Sequence, residues 1–148
     1  MKSDTSERGL ERLICTALTG SACDPGTVAA EPVRERPAAY GTGWVGGRPE
    51  DYDREYCVDL AQLSAFLRET QPEVADALDL GRDGPTRRKF LARLQGEITK
   101  RGTIDVLRHG LKHGPHHLDL FYGTPSPGNA KAAERYAANR FSVARQLR

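Results

Sequence analysis

Apolar residues recur at helical spacing in several stretches of the chain and alternate in two others, and this pattern sets the elements to expect. Leu10, Leu13, Ile14, Ala17 and Leu18 form one stripe, which predicts a first helix over about 6–19 with Gly20 placed to end it. Asp4 and Glu7 are spaced as an N-cap and its N3 partner. At about 100° per residue, Glu7 projects between Ile14 and Leu18 inside the stripe, and Glu11 lies at its edge. From Ser21 to Glu55 no period is sustained, so this stretch reads as a connector rich in Pro, Gly and charge, with Tyr40, Trp44, Tyr52 and Tyr56 as its fixed points. Three helices are then expected. Asp59 caps the first, with Leu60, Leu63, Phe66 and Leu67 on one face. Thr70-Gln71-Pro72-Glu73 reads as a capping box for a short second one carrying Val74, Ala77 and Leu78. The third runs over about 86–101, with Phe90, Leu91, Leu94 and Ile98 three or four apart and Gly102 closing it.

Beyond Gly102 the period changes. Residues 116–122 alternate, with Leu118, Leu120 and Tyr122 on one side, and predict a strand. Asn129 can cap an Ala-rich helix that turns Ala133, Tyr136 and Ala137 inward. Phe141 to Leu147 alternates again and predicts a second strand, with Phe141, Val143, Arg145 and Leu147 on one face. Two strands alone are marginal, so a further strand or a helix must cover them. The fold class expected is α/β (α+β), with helices in excess.

Charge adds an asymmetry that the net value of +2 conceals. Residues 1–86 hold 9 Lys/Arg against 16 Asp/Glu, a net −7, whereas residues 87–148 hold 13 against 4, a net +9. Clustered positive charge is the footprint of nucleic-acid binding, because neutralised phosphates release counterions. Arg87, Arg88, Lys112, Arg140 and Arg145 are the candidate DNA contacts. The competing reading is that the acidic and basic halves neutralise one another internally.

Candidate chemistry is otherwise sparse. His109, His113, His116 and His117 are separated by Gly110, Gly114 and Pro115, which spoil a helical zinc site and favour a basic turn before a strand. Cys15, Cys23 and Cys57 contain no C-x-x-C pair, and their spacing supports neither a metal nor a disulfide role. Glu50, Asp51, Asp53 and Glu55 read as solvated carboxylates of a loop. Nucleophile elbow, Walker lysine loop and dinucleotide fingerprint are all lacking. No apolar run of about 18 residues occurs, which excludes a membrane-spanning helix, and Met1-Lys2-Ser3-Asp4 leads into charge, so a cytoplasmic location is expected.

Two sets of residues together bring a family into view. The first is "GTIDVLRHGLK", a strand leading into "TPSPGN", then "YAANR" and "FSVARQL"; the second is Ser6-Glu7-Arg8-Gly9-Leu10-Glu11-Arg12-Leu13-Ile14 near the start. In this order they resemble the N-terminal region of the restriction (R) subunit of type I restriction-modification enzymes. "GWVGGRPEDYDREYCVDL" is similar to the segment by which one branch of that family enters a helical insertion. The resemblance implies a helix-rich part of a PD-(D/E)xK nuclease-like domain. Its segments would be a first nuclease-fold helix at 1–20, a connector at 21–56, a helical insertion at 57–102, and a basic strand-helix-strand segment at 103–148 that enters the sheet. It implies that Glu7 and Glu11 lie on the helix that can place a carboxylate near the metal centre, and that the metal-binding Asp and Glu-x-Lys follow beyond Arg148. For the full-length family it implies Mg²⁺-dependent cleavage of double-stranded DNA, ATP-driven translocation, and assembly with modification and specificity subunits. This chain alone is expected to lack catalysis. A free-standing DNA-binding or regulatory interaction module is the alternative.

Overall fold

The computed structural model describes residues 6–24 and 43–145. Along the chain the elements are α1 (Glu7–Thr19), β1 (Trp44–Gly46), β2 (Tyr52–Asp53), β3 (Val58–Asp59), α2 (Leu60–Thr70), α3 (Pro72–Leu78), α4 (Pro85–Arg101), α5 (Thr103–His109), β4 (Leu111–His113), β5 (His116–Leu118), α6 (Ala130–Ala137) and β6 (Phe141–Val143). Mixed helix and short strand make the fold α+β. Two compact units arise, Met1–Tyr52 with Arg140–Arg148, and Asp53–Asn139, so the units cut across the segments read from the sequence.

The hydrophobic core belongs to the second unit. Phe66 and Leu67 of α2, Ala75 and Leu78 of α3, Phe90, Leu91 and Leu94 of α4, Val106 of α5, Leu111 of β4 and Leu118 of β5 are all buried together. Fully burying side chains of this size stabilises by about 1.5–3 kcal/mol each, which makes this cluster the main source of stability. The helical stripes of α2 and α4 are those expected from the sequence. Asp59 caps α2, its Oδ1 accepting from the Gln62 N–H at 3.0 Å, and Gly102 ends α4 at φ +86°.

Several local expectations fail for identifiable reasons. Thr70 and Gln71 form no capping box: the Thr70 hydroxyl donates back to the Phe66 carbonyl at 2.8 Å, and Gln71 serves another segment. The stretch before β4, expected to be a turn, is the helix α5, and Leu111–His113 adds a strand that the sequence reading missed. The strand expected over 116–122 keeps a ladder only to Leu118, pairing antiparallel with β4. Past that point side-chain amides replace the ladder. Gln71 bonds both backbone groups of Asp119, donating to its carbonyl at 2.7 Å and accepting from its N–H at 3.0 Å; Asn139 does the same for Tyr122 at 2.7 and 2.9 Å. Leu120 and Tyr122 still pack on the core, so the alternation survives without the sheet. Asn129 caps α6, accepting from the Ala132 N–H at 3.0 Å, but Ala133, Tyr136 and Ala137 are exposed rather than inward. Arg135 lies over the Tyr122 ring at 5.7 Å instead.

In the first unit the connector read as structureless contains β1. It pairs in parallel with β6 in the register Trp44↔Phe141, Val45↔Ser142 and Gly46↔Val143, and the Trp44 and Phe141 rings lie 5.5 Å apart. The ladder of β6 ends at Val143, earlier than the alternation suggested; Leu147 lies outside the described residues, as do Asp4 and Tyr40. The cap of α1 is Ser6, whose hydroxyl accepts from the Gly9 N–H at 3.2 Å, and Gly20 ends the helix at φ +77° as expected. The predicted apolar stripe does not face inward. Leu10, Leu13 and Ile14 are exposed, and α1 buries Gly9 and Cys15 from a different face.

Candidate nucleic-acid interface

A short hairpin packed on α4 brings basic side chains together in the second unit. Gly110 starts it at φ +64°, and a Cβ there would enter the van der Waals shell of the Leu118 carbonyl oxygen, so only glycine lets the chain pass. Leu111 and Leu118 pair and point into the core; Lys112 pairs with His117, and both are exposed; His113 pairs with His116. On α4, the period that turns Phe90, Leu91 and Leu94 inward brings Lys89 and Arg93, one turn apart, to the hairpin. Arg93 Nε donates to the Lys112 carbonyl at 3.4 Å, and Phe90 meets the His113 ring edge-on at 5.5 Å. Burial first, then the charges of Lys89, Arg93 and His116, push the His113 pKa below the usual 6.5. Lys89, Arg93, His113 and His116 thus share one small area, with Arg93 also paired to Glu97 at 3.2 Å, while Lys112 and His117 stand on the other face of the hairpin.

The candidate contacts taken from the sequence divide sharply. Lys112 is exposed, on the face of the hairpin opposite His113 and His116. Arg87 and Arg88 share one acidic partner: Arg87 lies 2.9 Å from Asp83, and Arg88 grips the same carboxylate through two bonds of 3.3 and 3.1 Å. Arg87 also donates to the Leu80 carbonyl at 3.5 Å and is largely buried, whereas Arg88 remains exposed. These bonds, the Arg88 one foremost, lower the Asp83 pKa. Arg140 is exposed in the first unit. Arg145, expected to be a phosphate contact, is buried to 4% side-chain exposure, where no phosphate reaches it. Internal neutralisation, the competing reading of the charge asymmetry, holds for Arg87, Arg88 and Arg145.

Arg145 is instead the centre of the first unit. Its guanidinium donates to Glu11 Oε2 at 3.4 Å, the Ala22 carbonyl at 2.6 Å, Asp24 Oδ1 at 3.0 Å and the Arg8 carbonyl at 3.3 Å. Glu11 is therefore the carboxylate that α1 turns toward its own unit, while Glu7 is exposed, the reverse of the helical phase expected from the apolar stripe. A carboxylate engaged by a buried guanidinium is not disposed to hold Mg²⁺. Among the described residues no group of three or more His, Cys, Asp or Glu could hold a metal.

None of Lys89, Arg93, His113 and His116 is among the DNA contacts chosen from the sequence, where the two histidines read as part of a basic turn. Their signal was present in the four-residue spacing of Lys89 and Arg93, but the histidines declare themselves only once the hairpin forms. Compared with known proteins, the chain matches no family model, no curated protein and no solved structure. No helix among the described residues is long and apolar enough to cross a membrane.

Proposed function

We propose that the chain is a DNA-binding module of the type I restriction-subunit kind, gripping the phosphate backbone without reading sequence. The observation that supports this reading is the convergence of Lys89, Arg93, His113 and His116 where α4 meets the hairpin. Phosphate contacts position a protein on a duplex, whereas base-edge contacts specify it, and a compact cationic patch of this kind supplies only the former. The sequence resemblance supports double-stranded DNA as the ligand, and modification and specificity subunits as the partners. Mg²⁺-dependent cleavage and ATP-driven translocation belong to the full-length family, and the described residues of this chain hold no carboxylate set fit for the metal.

Fluorescence anisotropy with duplexes of unrelated sequence tests the reading. The affinity should be similar for each duplex and should fall with salt, at a log–log slope of about −0.9 per phosphate neutralised. Lys89→Gln alters an exposed side chain and should reduce that slope by about one unit. Binding that is absent at low salt, or indifferent to salt and to this substitution, overturns the proposal. Supercoiled plasmid incubated with the chain and Mg²⁺ should remain uncut; nicking lost in Glu11→Gln would move the active centre to α1.

A further inference from the structure

The first unit juxtaposes two cysteines that the sequence leaves apart. Cys15 lies on the buried face of α1 at 1% exposure. Beyond the Gly20 cap the chain turns back, with Cys23 half-buried at φ +49°, a conformation a side-chain-bearing residue rarely adopts. Thr19 ties the two ends of this turn together. Its hydroxyl donates to the Cys15 carbonyl at 2.8 Å and lies 3.4 Å from Cys23 Sγ. The Thr19 hydroxyl thereby holds Cys23 Sγ against the backbone of Cys15. On the far side of Cys23, a Cβ at Gly46 of β1 would come within 3.1 Å of its sulfur, so the absence of a side chain there makes room for the thiol.

We infer that Cys15 and Cys23 are an oxidation site, a dithiol that closes to an intramolecular disulfide and fixes the end of α1 to the segment carrying Asp24. The oxidant is a low-molecular-weight disulfide. Its first sulfur is attacked by Cys23, the more exposed of the pair, giving a mixed disulfide and one released thiol. Cys15 then attacks the Cys23 sulfur, forming the protein disulfide and releasing the second thiol. Two cysteine thiols lose two electrons and two protons, and the small disulfide gains both. Burial, followed by the hydrogen bond and charge of Cys23, pushes the Cys15 thiol up to about 11, which keeps it unreactive in the dithiol state. Once Cys23 is in the mixed disulfide, its hydrogen bond and charge no longer oppose the Cys15 thiolate. The nearby Arg145 guanidinium, which favours that thiolate, then acts against burial and the charge of Glu11. Arg145 also bonds the Ala22 carbonyl and Asp24 on the same turn, so closure of the disulfide staples the segment that Arg145 already holds.

The experiment uses the full chain with Cys57→Ser, which removes the exposed third thiol. Protein is equilibrated in glutathione buffers of graded ratio, folded and in urea, quenched with acid, and digested with trypsin. Cys15 and Cys23 fall in one peptide, 13–34, whose mass drops by two hydrogen atoms when they are joined. The folded chain should form this disulfide at a thiol-to-disulfide ratio at least about tenfold more reducing than the unfolded chain, because the fold raises the effective concentration of one sulfur at the other. By the thermodynamic cycle, the oxidised chain should then unfold with an equilibrium constant smaller by the same factor, read from the fluorescence of Trp44, the chain's one tryptophan. A glutathione adduct that persists on Cys23, or a folded chain that closes the disulfide no more readily than the unfolded one, overturns the inference.

Discussion

Arg145 shows how much a single side chain can organise when apolar contacts are few. In the first unit it is the one buried charged residue among those described, and Cys15 is the one buried apolar side chain among them. Its four hydrogen-bond acceptors come from α1, from the turn after it, and from Asp24. Replacing it with methionine roughly keeps the volume but strands the Ala22 carbonyl, while the Arg8 carbonyl keeps its helical partner and Glu11 and Asp24, 33% and 45% exposed, can rehydrate. Arg145→Met should therefore destabilise the unit by about 1–3 kcal/mol, rather than the larger loss seen when a charge is left fully buried. Urea unfolding monitored at Trp44 measures this, and a midpoint equal to that of the unsubstituted chain would remove Arg145 from its central role. Nothing in the alternation of Phe141, Val143 and Arg145 distinguishes a buried arginine from a solvent-facing one. What sets its role is Glu11 and Asp24, more than a hundred residues earlier in the chain.

At the scale of elements, the second unit was readable where one helix face meets one core, and unreadable where side chains substitute for backbone partners. The stripes of α2 and α4, the Asp59 and Asn129 caps and the Gly102 stop follow from local chemistry and are present. Gln71 looked like part of a capping box because Thr70, Pro72 and Glu73 surround it, yet its amide bonds Asp119, 48 residues away. Local propensity carries no information about such a partner. Gln71→Glu tests the arrangement more finely than Gln71→Ala, because the carboxylate retains the acceptor for the Asp119 N–H but faces the Asp119 carbonyl with an oxygen. The expected loss is about 1–3 kcal/mol, with faster amide hydrogen exchange at Asp119 and unaltered exchange in α4. Gly110 makes a second element-level case. Gly110→Ala combines a positive φ with a backbone collision and should cost at least about 1–3 kcal/mol. It should also misplace Lys112 and His113 together, so DNA affinity and stability should fall in the same variant. The ion pairs Arg93–Glu97, Glu97–Arg101, Arg101–Asp105 and Asp105–His109 were open to reading, because each spans four residues across α4 and α5. Counting charge by halves of the chain concealed them.

For the whole molecule, stability and binding should respond to pH in opposite directions, and the signs follow from the direction of each shift. His113 has its folded-state pKa below 6.5, so the folded chain binds fewer protons there than the unfolded chain. Its contribution to stability is complete above 6.5 and is lost as pH falls from there toward the folded value. Asp83, Glu97 and Asp105 have lowered pKa values, from 3.8, 4.5 and 3.8, chiefly through hydrogen bonds from Arg88, Arg101 and Arg101 respectively. Their contribution is present above those ordinary values and disappears as pH falls through the lower folded ones. Urea midpoints followed by circular dichroism should therefore decline in two windows, and His113→Gln should remove the His113 part of the upper one while leaving the lower. Phosphate acts oppositely on His113. A phosphodiester beside Lys89, Arg93 and His113 offsets the cationic field that disfavours the imidazolium, so DNA binding takes up a proton. Affinity should then rise as pH falls through the upper window, by at most about tenfold per pH unit for one proton. The salt slope in His113→Gln should persist while the pH dependence shrinks. A Kd that stays constant from neutral to mildly acidic pH, or that retains its full pH dependence in His113→Gln, would show that the duplex does not sit against this hairpin.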